Sequence, residues 1–94
     1  MSSYAELAAV LGRIAELVSR DDADTGWSTY EVGELRSEVR SFLGKAEARL
    51  SLSEAEYKHL RLLFGPTGPL QETSIASGWA SEFVLLATRF DDAF

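Results

Sequence analysis

Residue types that perform chemistry are scarce in this chain of 94 residues, which contains one histidine, His59, and no cysteine. A general base must lie within hydrogen-bonding distance of its nucleophile, and His59 falls on a predicted helix rather than in a loop where a nucleophile could meet it. The segment 26–30 (GWSTY) lacks the second glycine of a nucleophile elbow. The segment 65–68 (GPTG) is not followed by the Gly-Lys-Ser/Thr of a phosphate loop. We therefore expect no catalytic residue, and the protein is not predicted to be an enzyme.

An aspartate-rich turn at residues 21–26 is the one segment that suggests a metal ion. An EF-hand loop beginning at Asp21 would place Ala23 and Val32 at positions where calcium needs oxygen ligands. A single histidine without cysteine also disfavours a transition-metal site. We expect neither a metal nor another cofactor, since acidic residues at this place are explained by solvent exposure and by the helix N-terminus that follows.

Acidic side chains are grouped on one side of the second predicted helix. At about 100° per residue, Glu31, Glu34 and Glu38 lie on one flank of the apolar seam, whereas Arg36 and Arg40 lie on the other. Neighbouring carboxylates on a helix repel one another, which costs about a few tenths of a kcal/mol per pair. A cation from outside this helix is therefore expected to face them.

Two sources of that positive charge remain open. Cations on neighbouring helices could face the carboxylates within the fold, namely Arg13, Arg20, Lys45 or Arg49. Alternatively, a basic partner protein binds them, because complementary charge speeds association and sets specificity. Tyr30 projects opposite the apolar seam and is an anchor candidate, since tyrosine is enriched in interface hot spots. The candidate partner-binding residues of this surface are Asp21, Asp22, Asp24, Tyr30, Glu31, Glu34 and Glu38.

Helical periodicity of the apolar residues defines the elements that position these side chains. A capping box at Ser28 begins the second helix, and Ser53 with Glu56 forms the capping box of the third. Gly44 is the expected stop of the second helix, and residues 45–50 either extend it or form a short turn. The four predicted helices cover about residues 3–19, 28–43, 53–64 and 79–90. We therefore predict a single helical domain, 1–94, that is all-α: a compact bundle of about four helices with one long irregular loop before the last helix.

That loop, residues 65–78, is longer than the usual connection between helices, which has about two to eight residues. It is expected either to pack down through Leu70 and Ile75 or to serve a partner, with Gln71 and Glu72 as candidate contacts. Three apolar residues also lie off the seams of their own helices, Leu62, Val84 and Leu85. They are either buried in the bundle or form an exposed apolar patch of the kind that marks an interaction site.

The formal net charge of −6 disfavours a nucleic-acid partner, because binding to phosphates relies on lysine and arginine. The first residues lack the basic and apolar stretches of a leader sequence, and no uncharged run is long enough to span a bilayer. We expect a cytoplasmic protein that does not interact with membranes. The absence of cysteine agrees with a reducing compartment.

Three segments of the last third of the chain carry a resemblance to a known class of proteins. They are Phe64–Glu72 (FGPTGPLQE), Ser77–Trp79 (SGW) and Glu82–Asp91. Together they resemble the closing block of the small acidic immunity proteins that bacteria encode beside polymorphic toxins. The resemblance implies stoichiometric inhibition, in which the chain binds a cognate toxin and blocks its active site or substrate surface. The acidity of the chain fits a basic toxin, such as one acting on a negatively charged target.

Two other classes of function remain. A small helical adaptor or regulatory protein needs no toxin and could be a monomer or a weak homodimer joined through Leu62, Val84 and Leu85. A nucleic-acid mimic would use spaced carboxylates to occupy a DNA-binding protein, although 15 acidic residues spread over the whole chain are few for that role.

Overall fold

A computed structural model describes residues 4–21, 23, 31–65 and 68–93. These residues form five helices and no strand, so the predicted all-α bundle is confirmed. The helices are α1 (Tyr4–Val18), α2 (Val32–Glu47), α3 (Glu54–Phe64), α4 (Pro69–Ser77) and α5 (Ala80–Ala93). No helix in the described ranges is both long and apolar enough to cross a membrane.

The start of α3 has the capping box that the sequence predicts. Ser53 is the N-cap, and its hydroxyl accepts a hydrogen bond from the Glu56 N–H at 3.1 Å. The Glu56 carboxylate accepts one in return from the Ser53 N–H at 2.9 Å. Both N–H groups would otherwise lack a partner in the first helical turn, which explains why α3 begins here.

Helix α2 differs from its prediction at both ends. It begins at Val32 with Glu31 as N-cap, whereas the predicted cap, Ser28, lies outside the described residues. The Glu34 carboxylate accepts a hydrogen bond from the Glu31 N–H at 3.4 Å. The helix also continues through Gly44 to Glu47, because a glycine inside a helix costs only about 1 kcal/mol relative to alanine.

The actual end of α2 is a Schellman motif. The Arg49 N–H donates to the Ala46 carbonyl at 3.1 Å, and the Leu50 N–H donates to the Lys45 carbonyl at 2.9 Å. Arg49 adopts the left-handed conformation, with φ 56°, that this motif requires. Glycine usually occupies this position, so the sequence favoured a stop at Gly44, and the alternative it left open, an extension beyond Lys45, is the one observed.

The segment 65–78 is not irregular throughout, because nine of its residues form α4. Pro69 stands at the start of the helix, where its missing N–H costs nothing, and Gly78 ends it in the left-handed conformation with φ 85°. Pro69 and Gly78 suggested a loop in the sequence, yet they mark the two ends of a short helix. Thr73 and Ser74 are buried beside Leu70, so α4 has no continuous apolar stripe that could have revealed it.

The core surrounds α1. Its side chains Val10, Leu11, Ile14 and Leu17 are fully buried, and α1 packs against α2 and α5. The predicted seam of the last helix is confirmed, since Trp79, Phe83, Leu86 and Phe90 are all buried. Helix α4 packs against both α3 and α5 and completes the bundle.

Candidate functional site

The predicted acidic surface is present only in part among the described residues. Asp21, Glu31 and Glu34 are exposed near the junction of α1 and α2, whereas Glu38 is half-buried. The remaining predicted residues of this surface, Asp22, Asp24 and Tyr30, lie outside the described residues. The structure therefore places three of the predicted carboxylates on an exposed surface and turns a fourth inwards.

Glu38 is held within the fold by His59. Its Oε1 lies 2.9 Å from His59 Nε2, and this contact joins α2 to α3. The imidazole ring stacks on Phe42, with ring centroids 6.0 Å apart and an angle of 28° between the planes. The second carboxylate oxygen of Glu38 is buried and makes no hydrogen bond to a described residue. Glu38 therefore contributes to helix packing, and His59 is a partly exposed packing residue.

The arginines on the opposite flank of α2 hold the end of α1. Arg36 donates hydrogen bonds to the Val18 carbonyl at 2.5 Å and to the Arg20 carbonyl at 2.9 Å. Arg40 donates to the Ser19 hydroxyl at 3.1 Å. The last carbonyls of a helix lack intrahelical partners, and a guanidinium both satisfies them and complements the negative end of the helix dipole.

Two of the cations expected to face the carboxylates of α2 pair with other residues. Lys45, which lies in the last turn of α2 itself, pairs with Glu56 of α3, and Arg13 of α1 pairs with Glu82 of α5. Within the described ranges, no ion pair joins Glu31 or Glu34 to a cation. Both residues are exposed, and the described contact of the Glu34 carboxylate is the hydrogen bond that it accepts from the Glu31 N–H.

Helix α5 is fastened to α1 by two ion pairs along one flank. Arg13 donates from Nε and Nη2 to the two carboxylate oxygens of Glu82, at 2.5 and 3.0 Å. Arg89 donates from Nε to Glu6 at 2.7 Å near the other end of the helix pair. The Arg13 hydrogen bonds lower the pKa of Glu82 below its ordinary value. These contacts join α5 to α1 at two points along the helix pair.

The sequence did not decide whether three large apolar side chains are buried or exposed, and the structure shows that all three are exposed. Leu62, Val84 and Leu85 are 68%, 61% and 67% exposed, so burial in the bundle is excluded for all three. For residues 65–78 the sequence left packing and contact with a partner open, and the two apolar residues differ: Leu70 is buried, whereas Ile75 is 58% exposed. The buried face of α4 contains Leu70 and Ser74, and Ile75 lies outside it.

An open groove of about 440 Å³ runs between α4 and α5. Phe64 and Phe83 form part of its apolar lining, and the exposed Ile75 and Val84 line it from opposite helices. Asp91 is the one charged side chain among the described residues that line it. The groove thus combines exposed apolar surface with an acidic group at one end.

The two candidate contacts predicted in the loop lie on the first turn of α4. Gln71 is half-buried and lines the groove, whereas Glu72 is half-buried without lining it. The negative charge of Glu72 is favourable there, because a helix N-terminus carries partial positive charge. The sequence indicated Gln71 as a candidate contact and Val84 as an apolar residue off the seam of its helix. It did not reveal that they share one groove, because α4 was missed.

In the part of the chain that the structure describes, no group of three or more histidine, aspartate or glutamate side chains could hold a metal ion. Among the features of the described surface that suit contact with another molecule are the exposed acids near the start of α2 and the groove between α4 and α5. No protein-family model, curated protein or solved structure matches this chain.

Proposed function

We propose that this chain acts by binding another protein, as an immunity protein that neutralises a cognate, basic bacterial toxin through stoichiometric contact. The observation that carries the proposal is the exposure of Ile75 and Val84 on the two sides of one groove. Exposed apolar side chains that line a common groove are typical of a binding surface rather than of a solvated one. The resemblance of the last third of the chain supplies the kind of partner.

A stoichiometric inhibitor benefits from a surface that is already in its binding conformation, since less entropy is then lost on association. Arg13 and Arg89 fasten α5 to α1, and Arg36 fastens the start of α2 to the end of α1. Helix α2, which carries Glu31 and Glu34 at its start, and helix α5, which forms one wall of the groove, are thereby held against α1. This arrangement supports a role in which the chain presents a fixed surface to its partner.

The charge of the chain supports a basic partner. The formal net charge is −6, Asp21 is exposed after the end of α1, and Glu31 and Glu34 are exposed at the start of α2. A negative field of this kind attracts a basic protein over distances of about 10 Å at ordinary ionic strength. In this account the acids accelerate the encounter, and the apolar groove holds the complex.

Co-purification from the organism that encodes the chain tests the proposal. A tagged chain should recover one basic protein in equal amount, encoded beside it, which mass spectrometry identifies. Recovery of a chromatin or transcription component would instead support nucleic-acid mimicry, and recovery of the chain alone at native abundance would contradict the proposal.

The second candidate function is a small helical adaptor that forms a homodimer, and the neighbouring exposed residues Val84 and Leu85 favour it. Two copies could cover these side chains by packing their α5 helices against each other. Sedimentation equilibrium at micromolar concentration separates the two functions. A stable dimer would favour the adaptor, whereas a monomer would remove the homodimer.

A further inference from the structure

The lining of the groove follows a single stripe of α5. Ala80, Val84, Ala87 and Asp91 all line it and are spaced by four, three and four residues. Such spacing places side chains on one face of a helix, and the stripe extends for about 16 Å. The groove is therefore a channel along the helix axis rather than a rounded pocket.

The sizes of these side chains suit a helical occupant. Ala80 and Ala87 are small, so another helix can approach the α5 backbone closely between the larger residues. Val84 and Ile75 are β-branched and lose little side-chain freedom when they are covered. An amphipathic helix that lies in such a groove contacts it through apolar residues at i, i+3, i+4 and i+7.

The charges decide which amphipathic helix fits. Asp91 is exposed at one end of the stripe, and none of the described residues that line the groove is basic. A second copy of this chain also carries a net charge of −6, and repulsion between two acidic chains disfavours it as the occupant. A helix with lysine or arginine beside its apolar face would instead pair with Asp91.

We propose that the groove between α4 and α5 receives a basic amphipathic helix of the partner, with apolar side chains between Ile75 and Val84 and a cation at Asp91. This assignment rests on the proposed function and adds to it the face that is used and the chemistry that occupies it. The exposed acids around α2 then serve the approach of the partner and lie outside this contact.

The chain supplies matched controls for a test. Val84 and Leu85 are adjacent on α5 and almost equally exposed, but only Val84 lines the groove. Val84→Asp and Leu85→Asp therefore add the same charge to the same helix on different faces. Asp91 and Asp92 form a second pair, both exposed, of which only Asp91 lines the groove.

The probe is a synthetic leucine–lysine peptide of about 18 residues, or five helical turns, with leucines at i, i+3, i+4 and i+7. Titration into the isotope-labelled full chain, followed by amide NMR shifts, should move the signals of 71–75 and 80–91. A control peptide with glutamate in place of lysine should not bind. Shifts confined to α2, or equal binding of both peptides, would overturn the assignment.

The variants make the same test quantitative. Val84→Asp should weaken peptide binding by about tenfold or more, as expected for a central contact, and Ile75→Asp should do the same from the opposite wall. Leu85→Asp should change the affinity by less than about threefold. Asp91→Lys should weaken binding more than Asp92→Lys does. Equal effects of Val84→Asp and Leu85→Asp would overturn the assignment, provided that thermal melts show both variants folded.

Failure of this inference is distinguishable from failure of the proposed function. If a partner co-purifies with the chain and binds Val84→Asp as tightly as the unaltered chain, the function stands and the face is wrong. If the groove amides shift with protein concentration in the absence of peptide, a second copy occupies the groove and the basic helix is excluded.

Discussion

Arg13 on α1 and Glu82 on α5 form a two-point ion pair, with Nε and Nη2 at 2.5 and 3.0 Å from the two carboxylate oxygens. Glu6 and Arg89 form a second pair between the same helices with the charges exchanged. Because Glu6 precedes Arg13 in α1 while Arg89 follows Glu82 in α5, the two helices run antiparallel. The pairs therefore set both the direction and the register of α5, and with them the position of the groove.

The Arg13–Glu82 pair should make stability depend on pH. The Arg13 hydrogen bonds lower the pKa of Glu82 in the folded chain, so the stabilisation is present above the ordinary glutamate pKa of about 4.3. It is lost as the pH falls through the lowered value, because the protonated carboxyl no longer accepts both charged hydrogen bonds. Glu82→Gln should therefore lower the urea midpoint at pH 7 and have almost no effect at pH 2.

Glu16 is the control for that measurement, because it also contacts Arg13, at 3.4 Å, but its side chain is 71% exposed. Glu16→Gln should change the urea midpoint little at either pH. A loss of stability in Glu82→Gln that is the same at pH 2 and pH 7 would show that the ion pair does not contribute through its charge.

Arg49→Gly should stabilise the chain. Arg49 has φ 56°, a conformation that costs a residue with a side chain roughly 1–2 kcal/mol, and glycine adopts it without that cost. Glycine also has more conformational entropy than arginine in the unfolded state, and this offsets part of the gain. We therefore expect a net increase of about 0.5–1 kcal/mol in the free energy of unfolding. Ala48→Gly, at the right-handed neighbour with φ −81°, should instead lower it.

Gly44→Ala should stabilise α2 by about 1 kcal/mol, since Gly44 lies inside a helix and an added Cβ would meet nothing within 4 Å. Gly68 is the opposite case, because a Cβ there would lie 2.5 Å from the Leu62 carbonyl oxygen. Gly68→Ala should therefore destabilise the chain in the same thermal melt. A gain from both substitutions would contradict the positions assigned to these residues.

The exposed acids should affect the rate of binding more than the lifetime of the complex. Glu34→Lys should slow association with a basic partner by several-fold at low salt and leave dissociation almost unchanged, because steering acts before contact. Glu47→Lys, at the far end of α2, makes the same change in net charge and should slow association less. Surface plasmon resonance at two salt concentrations measures both rates.

The sequence predicted best where local signals agreed with packing. Ser53 and Glu56 located the start of α3, and the stripe of Trp79, Phe83, Leu86 and Phe90 located α5 and its buried face. Helix α4 was missed because Thr73 and Ser74 are buried within it and Ile75 is exposed, which breaks the apolar periodicity. The partners of Glu38 and Arg36 were beyond prediction, since His59 and the Val18 carbonyl reach them only through tertiary packing.

The groove between α4 and α5 was likewise beyond prediction from the sequence. In the sequence, Val84 lies off the apolar seam of its own helix, and that position left both burial and exposure open. Its exposure follows from the burial of the opposite face of α5, which packs Phe83 and Leu86 into the core, and its neighbour across the groove, Ile75, belongs to the helix that periodicity did not reveal. A site formed between two helices becomes visible only when both helices and their orientation are known.

Stoichiometric inhibition of the co-purified partner is the most direct test of the central claim. The partner's own activity is measured while the purified chain is added in increasing molar ratio. Our account predicts that the activity falls linearly and is abolished at one chain per partner, and that Val84→Asp shifts this titration to higher ratios whereas Leu85→Asp does not. Undiminished activity in a several-fold excess of the unaltered chain would contradict the proposed function.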